Sequence, residues 1–296
     1  MEKKVHKRHN IKIFDVINIL ILSLVALICM YPFYYLIIYS LSNSTEVARK
    51  GIWLLPAKLT VQNYKVLLWK KEILQATFIS ASRTILGTGI TVICSSFFAF
   101  LLTKKELVLR KLIYRMLVIT MYLNAGIIPY FIIMKNYGFK NNYLLYIVPS
   151  AIVAFYVILI KTYMEGIPAE LEEAAKIDGA GHLTVFIKVI LPVCIPVLAT
   201  IAVFSAVNQW NSWQDNFYLI RNNDLKTLQL LLLEYLQSMD STIISDINTA
   251  AQKANRTSAL SLKACISVIT MLPIMLVYPF LQKFFVKGIL IGSVKG

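Results

Sequence analysis

The sequence predicts an all-α, polytopic membrane protein of six transmembrane helices, and three observations carry that prediction. The chain has 296 residues and is 58% hydrophobic, against about 45–50% for a soluble domain. Six windows hold no Asp, Glu, Lys, Arg or His: 16–45, 84–103, 116–134, 141–160, 189–214 and 264–282. Each approaches or exceeds the roughly 20 residues that an α-helix needs to cross about 30 Å of hydrocarbon. The short segments between them concentrate Lys and Arg. Backbone groups in lipid must be satisfied within their own segment, so the windows read as helices, and the alternation of a membrane barrel is absent. Six such windows are too many to be the buried core of a soluble domain.

Taken in order, the chain opens with a cytosolic segment, 1–13, carrying Lys3, Lys4, Lys7, Arg8 and Lys12. The first transmembrane helix follows at 14–41. Its apolar run leads into Tyr31-Pro32-Phe33-Tyr34-Tyr35 and not into small residues, so it reads as an uncleaved helix and not a secretory signal. A transmembrane core domain spans 72–287, with helices at about 77–103, 112–134, 141–162, 190–211 and 263–283. The loop after the second span carries Lys104, Lys105, Arg110, Lys111 and Arg115, whereas the loop after the third has only Lys135 and Lys140. Lys283, Lys287 and Lys295 add charge at the C-terminal end, where 288–296 forms a tail. By the positive-inside rule both termini are cytosolic.

The net charge of +15 sits at span ends, which suits anionic headgroups. A nucleic-acid surface would gather it on one folded face. Cys29, Cys94, Cys194 and Cys265 fall inside predicted spans at unrelated spacing and read as small apolar residues, not as a disulfide set or metal site.

Three soluble segments are long enough to hold function. The outer loop 42–75 contains Trp53, Pro56, Tyr64 and Trp69, suited to an interfacial aromatic belt. The outer loop 212–262 includes an amphipathic stretch, 224–240. Two readings of its Leu-rich face stand open: it lies on the membrane or bundle, or it docks an extracytoplasmic partner. The third segment, 165–190, is cytosolic after four crossings. Glu165 to Asp178 holds five of the fifteen acids. Pro168 suits a first helical turn, Glu170, Glu172 and Glu173 complement the helix dipole, and Glu172 pairs with Lys176 four residues on. Gly179 can take the left-handed conformation that ends a helix, and a second short helix follows at roughly 183–190. With Ala174 and Ala175 on one face, the segment forms a small-faced, anionic helix–turn–helix knob.

These residues carry a resemblance. Glu173-Ala174-Ala175, then Gly179, then Val189-Ile190-Leu191-Pro192 is similar to the EAA motif of ABC-importer permeases, with every spacing kept and Val189 in place of Ile. Further likeness lies in 126–149, 167–181, QWNSW at 209–213 and KFFVKGILIGSVKG at 283–296. The chain resembles carbohydrate-importer permeases of the maltose-transporter second-subunit type, in the branch associated with larger oligosaccharides and polysaccharide fragments. The resemblance implies the type I importer permease fold and a coupling helix seated in a cleft of a cytosolic ATPase.

On that basis Glu173 pairs with a basic group of the ATPase, Ala174 and Ala175 permit close seating, and Gly179 forms the turn. Val189, Leu191 and Pro192 join the loop to the fifth span. The resemblance also implies two ATPase copies, a second and related permease, an extracytoplasmic solute-binding protein, and a place in the bacterial cytoplasmic membrane. The sequence has no G-x-x-x-x-G-K-[ST] loop. No cofactor is therefore expected on this chain, and ATP-Mg is expected on the ATPases. Asn124, Tyr130, Tyr156, Asn208 and Trp210 lie in or near spans and are candidates for the sugar path; interfacial anchoring and interhelical bonding are their alternative roles.

Two other classes fit less well. An ion-coupled secondary transporter usually keeps an ionisable residue within the membrane. The six windows have none, and Arg83 stands at the edge of the second span. A membrane enzyme needs clustered His, Cys, Asp or Glu; His6 and His9 lie in the basic N-terminal segment, and His182 stands alone in the cytosolic loop.

Overall fold

The computed structural model describes residues 13–123, 125–243 and 260–279. The N-terminal residues 1–12, Asn124 and the tail 288–296 lie outside the described residues, as do 244–259 and 280–287. Among the described residues the fold is helical, with one isolated bridge between Ser42 and Leu59 and no strand. The chain divides into two compact units, one drawn from Met1–Leu67 and Met239–Val268, the other from Leu68–Ser238 and Ile269–Gly296.

In the first unit, α1 (Ile13–Ser40) is a 28-residue apolar helix whose side chains are mostly exposed as far as Tyr34. Such a surface is suited to lipid or another apolar partner. At its end Ile38 packs with Val47 and Ile52. Asn43 caps α2 (Ser44–Lys50) by accepting from the Thr45 and Glu46 amides, and Gly51 stops it at φ +69°. The Ser40 hydroxyl meets the Tyr64 hydroxyl, on α3 (Gln62–Leu68), at 2.6 Å. The expected outer loop is thus folded against the end of the first helix, with Trp53 left exposed.

In the second unit, α4 (Lys71–Thr103) is the organising element, 33 residues and about 50 Å long. Its buried face is rich in small residues, among them Ala76, Ser80, Gly87, Ser95, Ser96 and Ala99, which let helices approach closely in a bilayer. After it come α5 (Arg110–Tyr122), α6 (Ile127–Asn136), α7 (Ala154–Met164), α8 (Glu170–Ile177) and α9 (His182–Val185). A π-helical turn at Phe186–Ile190 leads to α10 (Leu191–Val193), then α11 (Ile195–Asn211), α12 (Gln214–Leu219) and α13 (Leu228–Ile243). The last described helix is α14 (Leu260–Pro279). The core at one end of the unit joins Phe100 and Leu102 of α4, Val157 and Ile160 of α7, and Phe186, Cys194 and Ile201.

Among the described residues three helices, α1, α4 and α14, are individually long and apolar enough to cross a membrane, and a fourth span results if the bent pair His182–Val193 and Ile195–Asn211 counts as one. Two expected continuous helices are corrected by the structure. The 112–134 helix is two, α5 and α6, separated at Leu123–Gly126 with Gly126 at φ +79°. Pro129 is the cause: it has no N–H for the carbonyl of Ala125 and fits only the first turn of a new helix. The 141–162 helix is a short 3₁₀ turn, Tyr143–Tyr146, then irregular chain containing Pro149, then α7.

Irregular backbone among membrane helices is tolerated where its polar groups find partners in the protein. Thr91 donates to the Ser150 carbonyl at 2.7 Å, and Ser95 accepts from the Val153 amide at 3.4 Å. The hydroxyls of α4 therefore replace the missing helical bonds. The expected 190–211 helix also begins later, at Ile195, after an 82° bend. There Pro196 has no N–H for the carbonyl of Pro192.

Candidate functional site: the 165–193 loop and a polar cleft

The 165–193 loop is shaped by local chemistry. Three acids, Glu170, Glu172 and Glu173, occupy the first turn of α8 and face the positive end of its dipole. The helix closes in a Schellman motif: the Gly179 amide donates to Lys176 O at 3.0 Å and the Ala180 amide to Ala175 O at 2.9 Å. Gly179 sits at φ +80°, a conformation in which a Cβ is strained even though the space around it is open. Lys161 and Glu165 pair at 2.6 Å at the end of α7.

The motif residues divide between two sides. Glu173 and Ala174 are exposed, and the Glu173 carboxylate has no hydrogen-bond or ion-pair partner among the described residues. Ala175, Val189 and Leu191 pack against the helical core; Pro192 is exposed. Ala175 therefore seats α8 on its own chain, because a larger side chain there would lift the helix from the core. On α8 itself, Glu173 and Ala174 are the motif residues left on the open side.

Glu172, which lies outside the motif, fastens the knob. It is paired with Lys104, just beyond the end of α4, and with Lys176 at 3.1 Å. Partial burial pushes its carboxyl up, but hydrogen bonds from Lys104 and Lys176 outweigh that and hold it below the usual carboxylate range. The loop also presents Leu171, Ile177 and Leu183 to the exterior, Ile177 at 86% exposure. This apolar tip was not singled out in the sequence, although Ile177 stands directly before Asp178-Gly179. Acids thus surround an exposed apolar tip, a feature that marks interaction surfaces.

The proposed sugar-path residues separate in space. Tyr130 and Asn208 line one polar cleft of about 500 Å³. Tyr156 instead belongs to the packed core with Val157 and Ile160. Trp210 is buried and donates its indole N–H to the Thr270 carbonyl at 3.0 Å, lining an apolar groove that Asn208 also borders. Asn124 lies outside the described residues.

The cleft contains an ion pair that the sequence reading missed. Arg83 is 4% exposed. Its guanidinium donates to Asp215 at 2.5 and 3.2 Å, to Gln209 Oε1 at 2.9 Å and to the Ser212 carbonyl at 3.2 Å. It also lies 4.6 Å from the centre of the Tyr146 ring. Gln209 completes the network by donating to Ser150 Oγ at 2.7 Å and Tyr146 O at 3.2 Å. Gly87 makes room for it, since a Cβ there would meet Gln209 Nε2 at 2.5 Å.

The helix α4 runs unbroken from Lys71, so Arg83 lies within it while standing at the edge of the uncharged window. The signal in the sequence was a lone Arg in an apolar helix, which requires a partner. Kinship with known proteins decides between the two transporter classes.

Residues 91–291 match the family described as the binding-protein-dependent transport system inner membrane component. The chain is 33% identical over 287 residues to the polygalacturonan/rhamnogalacturonan transport system permease protein YtcP of Bacillus subtilis, covering 96% of this chain and 99% of that protein. It is 36% identical over 300 residues to protein LplC of the same organism, with 99% of each covered. A subunit in the crystal structure of a bacterial ABC transporter involved in the import of the acidic polysaccharide alginate superposes with a TM-score of 0.82 at 30% identity, covering 94% of this chain and 98% of the other. The chain belongs to the family of binding-protein-dependent transport system inner membrane components. It is a multi-pass membrane permease subunit of the ABC importer class, with the helical fold that the sequence predicts.

Proposed function

We propose that this chain forms half of the translocation pathway of an ATP-driven importer for carbohydrate, an oligosaccharide in particular. One observation carries the reading: the EAA loop is folded as an anionic, apolar-tipped knob whose inner side is packed onto the helices it must move. The similarity to permease proteins of polygalacturonan/rhamnogalacturonan and arabinooligosaccharide transport systems supports the substrate class. In this reading the protein lies in a bacterial cytoplasmic membrane with six spans and both termini inside, the broken windows 116–134 and 141–160 each counting as one crossing.

A second, related permease completes the pathway, and a solute-binding protein delivers the sugar from outside. Two ATPase copies hold ATP-Mg, while this chain holds no cofactor and carries out no hydrolysis. Glu173 and the Ile177 tip enter a cleft of one ATPase. Closure of the ATPases pushes α8, and the push reaches the helices through Ala175, Val189, Leu191 and the 82° bend at Cys194.

The test is the assembled importer in proteoliposomes with ATP inside and loaded binding protein outside. Gly179→Asp forces a Cβ into the left-handed turn, and Glu173→Lys reverses the free charge. Each is expected to abolish substrate-stimulated ATP hydrolysis while membrane insertion stays intact. Normal uptake by either variant, or uptake by the wild type with no ATPase present, would overturn the reading.

A further inference from the structure

We propose that the polar cleft bordered by Arg83, Tyr130, Asn208 and Gln214 is a glycan-binding site of this subunit, one that reads sugar hydroxyls and not charge. The inference rests on the importer function above and adds to it the place of contact. At about 500 Å³ the cleft falls in the usual range for ligand sites, roughly 300–1,000 Å³. Its polar groups are of two kinds. The deeper wall is saturated: Arg83, Gln209 and Asp215 spend their hydrogen bonds on one another and on Ser150, Ser212 and Tyr146.

The groups nearer the opening are not. The side-chain amides of Asn208 and Gln214 are exposed, and neither they nor the Tyr130 hydroxyl have a hydrogen-bond partner among the described residues. A fixed wall behind unpartnered donors and acceptors is what a preorganised site requires.

The charge balance sets the chemistry. Arg83 and Asp215 neutralise each other, and no other charged residue lines the cleft. The groups left for a ligand are two primary amides and a phenol, each able both to donate and to accept. They match hydroxyls, while Tyr130 offers a ring face for stacking. A carboxylate would find no free cation here, so an acidic glycan would be held through its hydroxyls alone.

The test uses the complete importer in proteoliposomes with raffinose as the neutral probe and trigalacturonate as the acidic one. Asn208→Ala combined with Gln214→Ala is expected to lower uptake of whichever probe the wild type carries by about tenfold, the worth of two ordinary hydrogen bonds. Hydrolysis of ATP stimulated by the loaded binding protein should stay within about twofold of wild type, a split that a folding defect would not produce. Tyr130→Phe, a smaller change, should lower uptake several-fold. Gln214→Lys adds a free cation and should shift preference toward trigalacturonate.

Unchanged uptake in these variants, with the wild type active, overturns the site and leaves the importer reading standing. So does failure of the Asn208 and Gln214 variant to assemble with the second permease on size-exclusion chromatography, which would give those amides to the subunit interface. Absence of ATP-dependent uptake of any sugar by the wild type overturns the importer reading itself.

Discussion

The helix and turn of the 165–193 loop are set by residues a few positions apart, whereas the cleft brings together Arg83 and Asp215 from 132 positions apart. The loop's caps, dipole pairs and Schellman turn are written within one stretch of chain, and its outward groups are left free for another protein. The cleft has no such local grammar. Arg83 lies in an apolar helix and Asp215 in the first turn of α12, and neither looks informative until α4 and α11 pack. A helix-and-turn motif can be read from its spacing, but a pocket made by packing has to be found in three dimensions.

That contrast can be broken most severely at the ion pair. Arg83→Leu leaves Asp215 buried without its cation, which should cost about 3–5 kcal/mol and appear as a large fall in the detergent melting temperature. Arg83→Met with Asp215→Leu, which removes both charges, should recover most of that loss. If the single and double variants melt alike, the pair is not what holds α4 to the α11–α12 turn.

Gly87→Ala is the next test, because it asks whether the close approach of α4 and α11 depends on one missing methyl. The added Cβ would meet Gln209 Nε2 at 2.5 Å and Cδ at 2.8 Å, and overpacking of this kind costs about 1–3 kcal/mol. Shortening the partner with Gln209→Ala in the same chain should relieve the clash. Thermal unfolding of the two variants against wild type decides it. A Gly87→Ala protein as stable as wild type would mean that Gln209 moves aside freely.

The smallest effect belongs to the loop. Glu172 has a lowered carboxyl pKa when folded, so its link to Lys104 contributes fully above the unfolded value of about 4.3 and fades as pH falls through the lowered folded value. The contribution should be about 1 kcal/mol or less, since both partners keep some contact with water. The melting temperature of wild type minus that of Glu172→Gln should therefore be positive near neutrality and shrink toward zero in acid. A difference that stays constant, or grows in acid, would remove the carboxylate from the account.

Much of the molecule was legible beforehand, for reasons that differ by region. Apolar length announced the membrane helices, because the cost of carrying charge into hydrocarbon leaves long uncharged windows. The Glu173-Ala174-Ala175 spacing to Gly179 and Pro192 announced the loop, because helix geometry ties each role to a sequence offset. Hydrophobicity could not announce that 141–162 would leave the helix. Pro149 weakens that helix, yet only the hydroxyls of Thr91 and Ser95 on a neighbouring helix make the irregular course affordable. Likewise Tyr130, Tyr156, Asn208 and Trp210 looked equivalent as polar or aromatic residues near spans, and packing then sent two to a cleft and two to buried positions.

The sequence by itself thus determined that the chain is a helical membrane protein with a capped helix and turn at 165–193, since hydrophobic length and helix capping are properties of short, contiguous segments. Only the tertiary structure decided which side of that loop faces its own core, where the helices break, and that Arg83 meets Asp215. Those outcomes depend on which distant surfaces come within bonding distance, and a buried charge or an unpaired carbonyl is stable only where another part of the chain supplies its partner.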